Sequence, residues 1–292
     1  MRVGTIRTSA GSRCVIVRDG AAVELEHADV GALLASGPEW SRVTPVRGAK
    51  EHDVASVDWA PPVPAPGKIF CLGHNYRRHI AEMGREVPSY PTLFAKFSEA
   101  LIGAHDEIAL PRVSEKPDWE AELGLFIGRT VRNETLEQCR NAIAGYTVVN
   151  DVTMRDWQKR TLQWLQGKTF EGSTPVGPLL VTPDEVDDAR DLLIRCEVEG
   201  QLMQETRTSD MLFPPAEIIS YISTIITLRP GNLISTGTPG GVGDARTPPV
   251  YLKDGQRLRT VIDGIGELDN RCVSGPAAFD PPQEPVLGSL RF

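Results

Sequence analysis

A proline-rich run at residues 61–67 divides the chain into a short part and a long part. Four of its seven residues are proline, and proline continues neither a helix nor a central β-strand. The run therefore marks a boundary between structural units. We expect a small N-terminal β domain over residues 1–66 and a larger domain over residues 67–292.

Short apolar runs of β-strand length dominate both parts and favour a β-rich mixed α+β fold. The helical stretches are too few to alternate with these runs, which argues against a βαβ arrangement. Besides a strand at the very start, the expected strands are 13–17, 22–25, 68–72, 93–97, 106–110, 119–127, 145–151, 176–181, 192–199, 232–236 and 258–263, and the expected helices are 30–34, 75–83, 135–143 and 215–227.

Composition excludes several classes of partner. The net charge of −8 over 292 residues argues against nucleic acid, which is bound through clustered lysine and arginine. No apolar run approaches the roughly 20 residues of a membrane span, and the start lacks the apolar core of a signal peptide. Five scattered cysteines suit reduced thiols. We expect a cytoplasmic protein with neither nucleic-acid nor membrane partners.

Three carboxylates fall in similar strand-like settings. Glu120 and Glu122 lie in the apolar run 119–127 and share one face of a strand, roughly 7 Å apart. Asp151 ends a second apolar run. A lone Glu-x-Glu pair on a strand is usually a solvated face, but three carboxylates together suit a hard, oxygen-preferring ion. The pattern favours a Mg²⁺ or Mn²⁺ site.

Other polar residues accompany this acidic set. On a helix over 75–83, His79 and Glu82 stand three apart, and a carboxylate beside an imidazole raises its basicity, as a general base requires. The alternative is a surface His–Glu pair. In a helical turn after Asp151, Arg155 and Gln158 would lie on its side of the helix. Lys168 lies further along the chain and is a further candidate to accompany the carboxylates. The alternative is that Lys168 is an ordinary solvated lysine.

The glycine-rich segment 236–243 does not have the pattern of a nucleotide-binding loop. It is followed by no Gly-Lys-Ser/Thr, and no G-x-G-x-x-G occurs. A backbone loop lining a small anionic ligand remains consistent with it. The chain also lacks a G-x-S-x-G nucleophile elbow, which argues against a serine hydrolase.

In combination, these motifs resemble the fumarylacetoacetate hydrolase family over residues 68–273. No single motif is specific, but their order along the chain is. The motifs are Gly73-x-Asn75-Tyr76-x-x-His79-x-x-Glu82, Glu120-x-Glu122, Asp151 with Arg155 and Gln158, Lys168, Ser223-x-Ile225-Ile226-Thr227-Leu228 and Thr236-Gly237-Thr238-Pro239-x-Gly241-Val242-Gly243.

The resemblance implies a β-sandwich-roll catalytic domain behind the small N-terminal β domain, assembled as a homodimer. It implies that Glu120, Glu122 and Asp151 bind Mg²⁺ or Mn²⁺, with Ca²⁺ as a substitute in crystals. The His-x-x-Glu spacing resembles the acylpyruvase-like branch, in which such a pair on a lid segment activates water. That role falls on His79 and Glu82.

The substrate that the resemblance implies is a small 2-oxo acid. Lys168 would add positive charge near the enolate, while Arg155, Gln158 and Thr238 would bind the substrate or the water. The expected reaction is hydrolysis of the C–C bond of a 2,4-dioxo acid, of acylpyruvate or fumarylpyruvate type, in aromatic catabolism. The alternatives are a decarboxylase of oxaloacetate or an oxo-tricarboxylate, and an isomerase or hydratase of an unsaturated 2-oxo acid.

Overall fold

A computed structural model of the chain describes residues 1–82, 84 and 86–275, and the side chains of His79 and Glu82 are outside that description. Strands dominate it, which confirms the β-rich mixed α+β class. The strands are β1 Arg2–Thr8, β2 Gly11–Arg18, β3 Ala21–Glu24, β4 Glu51–Asp53, β5 Asp58–Ala60, β6 Ile69–Gly73, β7 Thr92–Ala95, β8 Leu101–Ile102, β9 Ile108–Leu110, β10 Pro117–Asp118, β11 Ala121–Ile127, β12 Ile143–Asn150, β13 Thr153–Met154, β14 Thr174–Val181, β15 Leu193–Val198, β16 Gln201–Arg207, β17 Leu233–Ser235, β18 Arg257–Ile262 and β19 Gly266–Ser274. The helices are α1 Val30–Ala35, α2 Arg77–Glu82, α3 Leu136–Arg140, α4 Arg155–Gln158, α5 Leu165–Lys168 and α6 Pro215–Ile225.

Two sheets form the framework. The larger one has the order β4-β3-β2-β1-β14-β12-β11-β17-β6-β7, and the smaller one has the order β16-β15-β18-β19-β9. Every residue of β11 and β12 is buried, which explains why both strands are mostly apolar on both faces. These two strands pair antiparallel, with Ala121 opposite Asn150. The start of β11 and the end of β12 therefore lie side by side at the same end of the sheet.

The N-terminal strands continue the larger sheet. β1 pairs with β14 through Arg2 opposite Val181, and one apolar cluster contains both Val3 and Phe126. The proline-rich run is held against β1, because the Thr5 hydroxyl donates a hydrogen bond of 2.7 Å to the Pro62 carbonyl. The N-terminal part thus shares hydrogen bonds and core with the larger part, and a domain boundary at residue 66 stays a prediction.

Two strands of the smaller sheet, β16 and β19, are absent from the expected set. β16 is an edge strand, and most of its side chains are exposed or half-buried, so it lacks a continuous apolar run. A tight turn connects β16 to the strand before it. Glu199 and Gly200 have φ of 52° and 73° between β15 and β16, and this left-handed backbone suits a two-residue hairpin turn.

Compared with the expected ranges, α3 and α6 are shorter, α1 is one residue longer and α2 begins two residues later. α2 starts at Arg77 and not at residue 75, because the Asn75 side chain donates to the Thr236 carbonyl at 2.7 Å and fixes the backbone before the helix. A capping box between Thr135 and Gln138 starts α3. Among the described residues, no helix has the length and apolar character needed to cross a membrane.

Candidate metal centre and substrate cavity

Three buried carboxylates meet where β11 begins and β12 ends. Glu120 directly precedes β11, Glu122 is its second residue, and Asp151 directly follows β12. One carboxylate oxygen from each residue lies within 4.8 Å of the others. The Asp151 amide donates to the Glu120 carbonyl at 2.9 Å, which ties the two strand ends together. The sequence analysis had placed Glu120 within the strand, whereas the regular pairing begins one residue later.

Two buried lysines neutralise part of this negative charge. The Lys168 ammonium lies 2.7 Å from Glu120 Oε2 and 2.8 Å from Asp151 Oδ2. The Lys96 ammonium lies 2.5 Å from Asp151 Oδ1. Lys96 directly follows β7 and was missed by the sequence analysis. The available signal was a lysine inside the apolar run 93–97, which had been read only as a strand.

These contacts shift the pKa values of both partners. Burial alone would raise the pKa of Asp151, but the charges of Lys168 and Lys96 outweigh it and lower that pKa. Burial would likewise lower the pKa of Lys168, but Asp151 and Glu120 outweigh it and raise that pKa. The pair is therefore ionised on both sides around neutral pH, with Lys168 as a fixed cation.

Glu122 is the carboxylate with an unsatisfied oxygen. Its Oε2 accepts hydrogen bonds from the Ser235 hydroxyl at 2.5 Å and the Gly237 amide at 2.9 Å. Its Oε1 is buried and has no hydrogen-bond partner among the described residues. Burial, together with the charges of Asp151 and Glu120, raises the pKa of Glu122 well above its usual range. A cation bound here would give this oxygen a partner.

The glycine at 237 is required by its surroundings. Its φ is 98°, and an added Cβ would lie 2.9 Å from the Asn75 Cβ. Only glycine adopts this backbone conformation readily, so the sequence places the amide where it can donate to Glu122. The glycine-rich segment thus supports a carboxylate of the centre, a role that the sequence analysis did not assign to it.

The donor set fits a hard divalent cation. All three residues offer carboxylate oxygens, the ligands that Mg²⁺ and Mn²⁺ prefer. The orphaned Glu122 Oε1 and the close approach of three like charges both fit a cation at this point. Glu120, Glu122 and Asp151 would hold such an ion, as the sequence analysis predicted, and their role as ligands stays a prediction.

Arg155 lies on α4 and is used mainly to hold other residues. Its Nη1 lies 2.7 Å from Glu120 Oε1 and its Nε lies 2.8 Å from Asp118 Oδ2. Gln158 Oε1 accepts a hydrogen bond from Nη1 at 3.1 Å. Of the side-chain nitrogens of Arg155, only Nη2 is without a hydrogen-bond partner within the described part of the chain. A substrate contact by Arg155 stays a prediction.

Asp118 is a further residue that the sequence analysis missed. It is fully buried, and it accepts hydrogen bonds from the Gly243 amide at 2.7 Å and the Asp244 amide at 3.0 Å, besides its pair with Arg155. It therefore connects the glycine-rich segment to α4. No motif marks this residue in the sequence, because Arg155, Gly243 and Asp244 are all more than 30 positions away.

A cavity of about 590 Å³ opens beside the carboxylates. It is bordered by five of the nine predicted site residues. Glu122 and Asp151 do not border it, and the side chains of His79 and Glu82 are outside the described residues. The five are Glu120, Arg155, Gln158, Lys168 and Thr238. The Thr238 hydroxyl donates to the Ala121 carbonyl at 3.0 Å and accepts from Gln204 at 2.9 Å, so it can only accept a further hydrogen bond.

Known proteins resemble this chain in sequence and in fold. Residues 68–273 match the C-terminal domain of fumarylacetoacetate hydrolase as a sequence family. A mitochondrial oxaloacetate tautomerase of Bos taurus is 42% identical over 221 residues, which are 75% of this chain and 70% of that protein.

Two solved structures share the whole architecture. A fumarylacetoacetate hydrolase from Exiguobacterium antarcticum has a TM-score of 0.85 and 32% identity, over 94% of this chain and 100% of that one. A 5-carboxymethyl-2-hydroxymuconate delta-isomerase from Mycobacterium smegmatis has a TM-score of 0.77 and 31% identity, over the same shares. The chain belongs to the fumarylacetoacetate hydrolase family.

Proposed function

We propose that this chain is a divalent-metal-dependent enzyme that acts on a small 2-oxo acid through its enol form. The observation that carries the proposal is the cluster of three buried carboxylates and two buried lysines beside a cavity. Keto–enol tautomerisation of oxaloacetate is the reaction we favour, because the Bos taurus relative at 42% identity is an oxaloacetate tautomerase.

The residues that border the cavity suit stabilisation of an enolate. A divalent cation held by Glu120, Glu122 and Asp151 would supply Lewis-acid stabilisation of negative charge on the 2-oxo oxygen. The Lys168 ammonium borders the cavity and would donate a hydrogen bond to the same developing charge. In tautomerisation one proton leaves C3 and one is taken up by the 2-oxo oxygen, so no other reactant is consumed.

Hydrolysis of a 2,4-dioxo acid is the second candidate. It is favoured by the His79–Glu82 spacing and by the fold shared with a fumarylacetoacetate hydrolase. His79, oriented by Glu82, would take a proton from a water that attacks the C4 carbonyl. The C3–C4 bond then breaks, and a carboxylic acid and a pyruvate-type enolate leave; the enolate takes a proton at C3 to give pyruvate.

Decarboxylation and isomerisation use the same enolate and remain the further alternatives. Oxaloacetate could lose CO₂ without attack by water, and an unsaturated 2-oxo acid could be isomerised, as the name of the Mycobacterium smegmatis neighbour states for its own substrate. Because one scaffold serves several reactions, identification of the product is needed to distinguish them.

Product analysis tests the proposal directly. The purified protein would be mixed with enol-oxaloacetate and, separately, with acetylpyruvate, in Mg²⁺, in Mn²⁺ and in EDTA. We expect faster loss of the oxaloacetate enol absorbance without pyruvate, and its abolition by EDTA. Pyruvate from acetylpyruvate would instead establish the hydrolase, and pyruvate from oxaloacetate the decarboxylase. No metal-dependent change with either compound would overturn the proposal.

A variant at residue 79 separates the two leading reactions. His79→Ala should lower hydrolysis about 100-fold or more, the usual scale of general-base catalysis, and should leave metal binding intact. His105→Ala, at an exposed histidine that does not border the cavity, is the matched control. Unchanged hydrolysis in His79→Ala would contradict the proposed base, while loss of tautomerisation as well would assign the C3 proton to His79.

Other features of the proposal need their own measurements. Metal analysis of the purified protein tests Mg²⁺ against Mn²⁺, and light scattering tests the homodimer. Expression with a fluorescent tag tests the cytoplasmic location, because the Bos taurus relative is mitochondrial by name. A role in aromatic catabolism would require activity on ring-cleavage products.

A further inference from the structure

The cavity beside the three carboxylates is bordered by both charged and apolar side chains. Glu120 and its two ion-pair partners, Arg155 and Lys168, form what we name the charged end. Five apolar residues, which we name the distal wall, also border the cavity. They are Leu72, Phe94, Leu162, Trp164 and Val242.

Aromatic packing fixes the distal wall in place. The Trp164 ring makes edge contacts with His74 and Phe94 at centroid distances of 5.4 Å and 5.5 Å. It also lies against the end of β6, where a Cβ at Gly73 would come within 2.3 Å of the ring. A residue larger than glycine at 73 would displace Trp164, so the sequence reserves this space for the indole.

The distal wall begins close to the charged end. The Phe94 ring centroid lies 5.0 Å from the Lys168 ammonium, a distance that a short carbon chain spans. A 2-oxo acid with its carboxylate and 2-oxo oxygen at the charged end would therefore direct any longer substituent toward Phe94 and Trp164.

Leu162 extends the wall to the mouth of the cavity. Its side chain is 98% exposed, although it borders the same cavity as Trp164. Single exposed apolar residues are common, but this one borders the same cavity as Phe94 and Trp164. A ligand group that covered Leu162 would remove its apolar surface from water and gain affinity.

The size of the cavity exceeds what a four-carbon acid needs. A volume of about 590 Å³ is in the range of pockets that hold drug-sized ligands. Oxaloacetate carries charge at both ends and offers no apolar group to the distal wall. From the wall's position and chemistry we infer that, besides oxaloacetate, the site binds 2-oxo acids with an apolar or aryl group beyond C4, which the distal wall contacts. This inference rests on the proposed function.

Binding of a matched ligand series tests the inference without turnover. The probes are 2-oxobutanoate, 2-oxohexanoate and 2-oxo-4-phenylbutanoate, which share the same acid head, measured by calorimetry in saturating Mg²⁺. Each buried methylene adds up to about fourfold in affinity, so 2-oxohexanoate should bind on the order of tenfold more tightly than 2-oxobutanoate. Equal affinities across the series would overturn the inference and leave the proposed function intact.

Variants locate the effect. Leu162→Ala should lower the ratio of the two affinities by about twofold or more, since it removes apolar area from the wall, without weakening 2-oxobutanoate. Leu136→Ala, at a half-exposed leucine of α3, is the matched control and should keep the ratio. Equal weakening of both acids by Leu162→Ala would contradict a tail-binding wall. Failure of every 2-oxo acid to bind would overturn the proposed function itself, and this inference with it.

Discussion

Two charge-rich regions of the molecule use the same residue types at opposite degrees of burial. At the cluster of three carboxylates, the side chains of Lys96, Lys168 and Asp151 are at most 2% exposed. On the smaller sheet, Arg257 pairs with Asp269 with side chains 70% and 21% exposed. The groove at this outer cluster, about 770 Å³, is even larger than the cavity at the centre. Cavity size and charge alone therefore do not identify the site, whereas burial of charge does.

The two regions also differ in what their charges contribute to stability. An exposed ion pair contributes about 0 to 1 kcal/mol, because water screens it. Charges buried at the centre lose their hydration, and their attraction must offset that loss. A chain gains little stability from such a cluster, so its presence indicates a function. The following experiments would break or sharpen this contrast.

The largest effect is expected at Asp151. Asp151→Asn removes the carboxylate that faces Lys96 and Lys168, so the two lysines lose the charge that compensates them. The free energy of unfolding of the metal-free protein should fall by about 3 to 5 kcal/mol, measured by urea unfolding in EDTA. Metal-dependent activity should also be lost. A change below about 1 kcal/mol, the scale of surface pairs, would remove the distinction between the two regions.

Metal binding should stabilise the centre and not the outer sheet. Mg²⁺ or Mn²⁺ at 100 times its Kd should raise the free energy of unfolding by about 2.7 kcal/mol, followed as a rise in melting temperature. Glu122→Gln removes one ligand charge and should abolish most of this rise. Glu51→Gln, at an exposed carboxylate of β4, is the matched control and should retain it. An equal rise in both variants would place the ion elsewhere.

The pH dependence of the metal-free protein follows from Glu122. Its pKa in the folded state is raised above 4.5, the usual value, mainly by burial. The folded state then keeps a proton that the unfolded state releases, so the free energy of unfolding should fall as pH rises from 4.5 to the raised pKa. Unfolding curves in EDTA across this range measure the slope.

Two comparisons check this assignment. In Glu122→Gln, residue 122 has no proton to lose, so the pH dependence of the free energy of unfolding should become flatter. Saturating Mg²⁺ should counteract this pH dependence in the unchanged protein, since metal binding displaces the proton. Asp151 contributes at lower pH only, because its pKa is lowered. A slope that is unchanged in Glu122→Gln would assign the titration to another group.

The smallest effect is expected on the outer sheet. Asp269→Asn removes a pair with Arg257 whose hydrogen bonds are 2.5 Å and 2.8 Å long. Because Arg257 stays in water, the free energy of unfolding should change far less than in Asp151→Asn, and activity should be unchanged. A loss as large as that of Asp151→Asn would show that the outer pair is as important as the buried centre.

The local sequence pattern was sufficient to predict that the three carboxylates lie close together. Glu120, Glu122 and Asp151 each lie at the end of an apolar run, and the two runs become adjacent strands. Adjacent antiparallel strands bring the start of one to the end of the next, so neighbouring carboxylates could be expected from the runs alone. The strand bounds deviated by one or two residues, because pairing partners decide where a strand begins.

Lys96 and Asp118 escaped the sequence analysis for a different reason. Lys96 pairs with a residue 55 positions away and Asp118 with one 37 positions away. No spacing along the chain indicates which of the 31 lysines and arginines will be brought to a buried carboxylate. The same is true of the distal wall, whose residues come from four separate segments of the chain.

The sequence by itself determined the class of fold, the order of the motifs and the three carboxylates, because these depend on periodicity and on residues that are near one another along the chain. Only the tertiary structure decided which cations face the carboxylates, which oxygen of Glu122 is left without a partner, and where the cavity becomes apolar. The physical reason is that electrostatic compensation and burial act through space. They depend on which strands become neighbours in the sheet, and local sequence does not encode that choice.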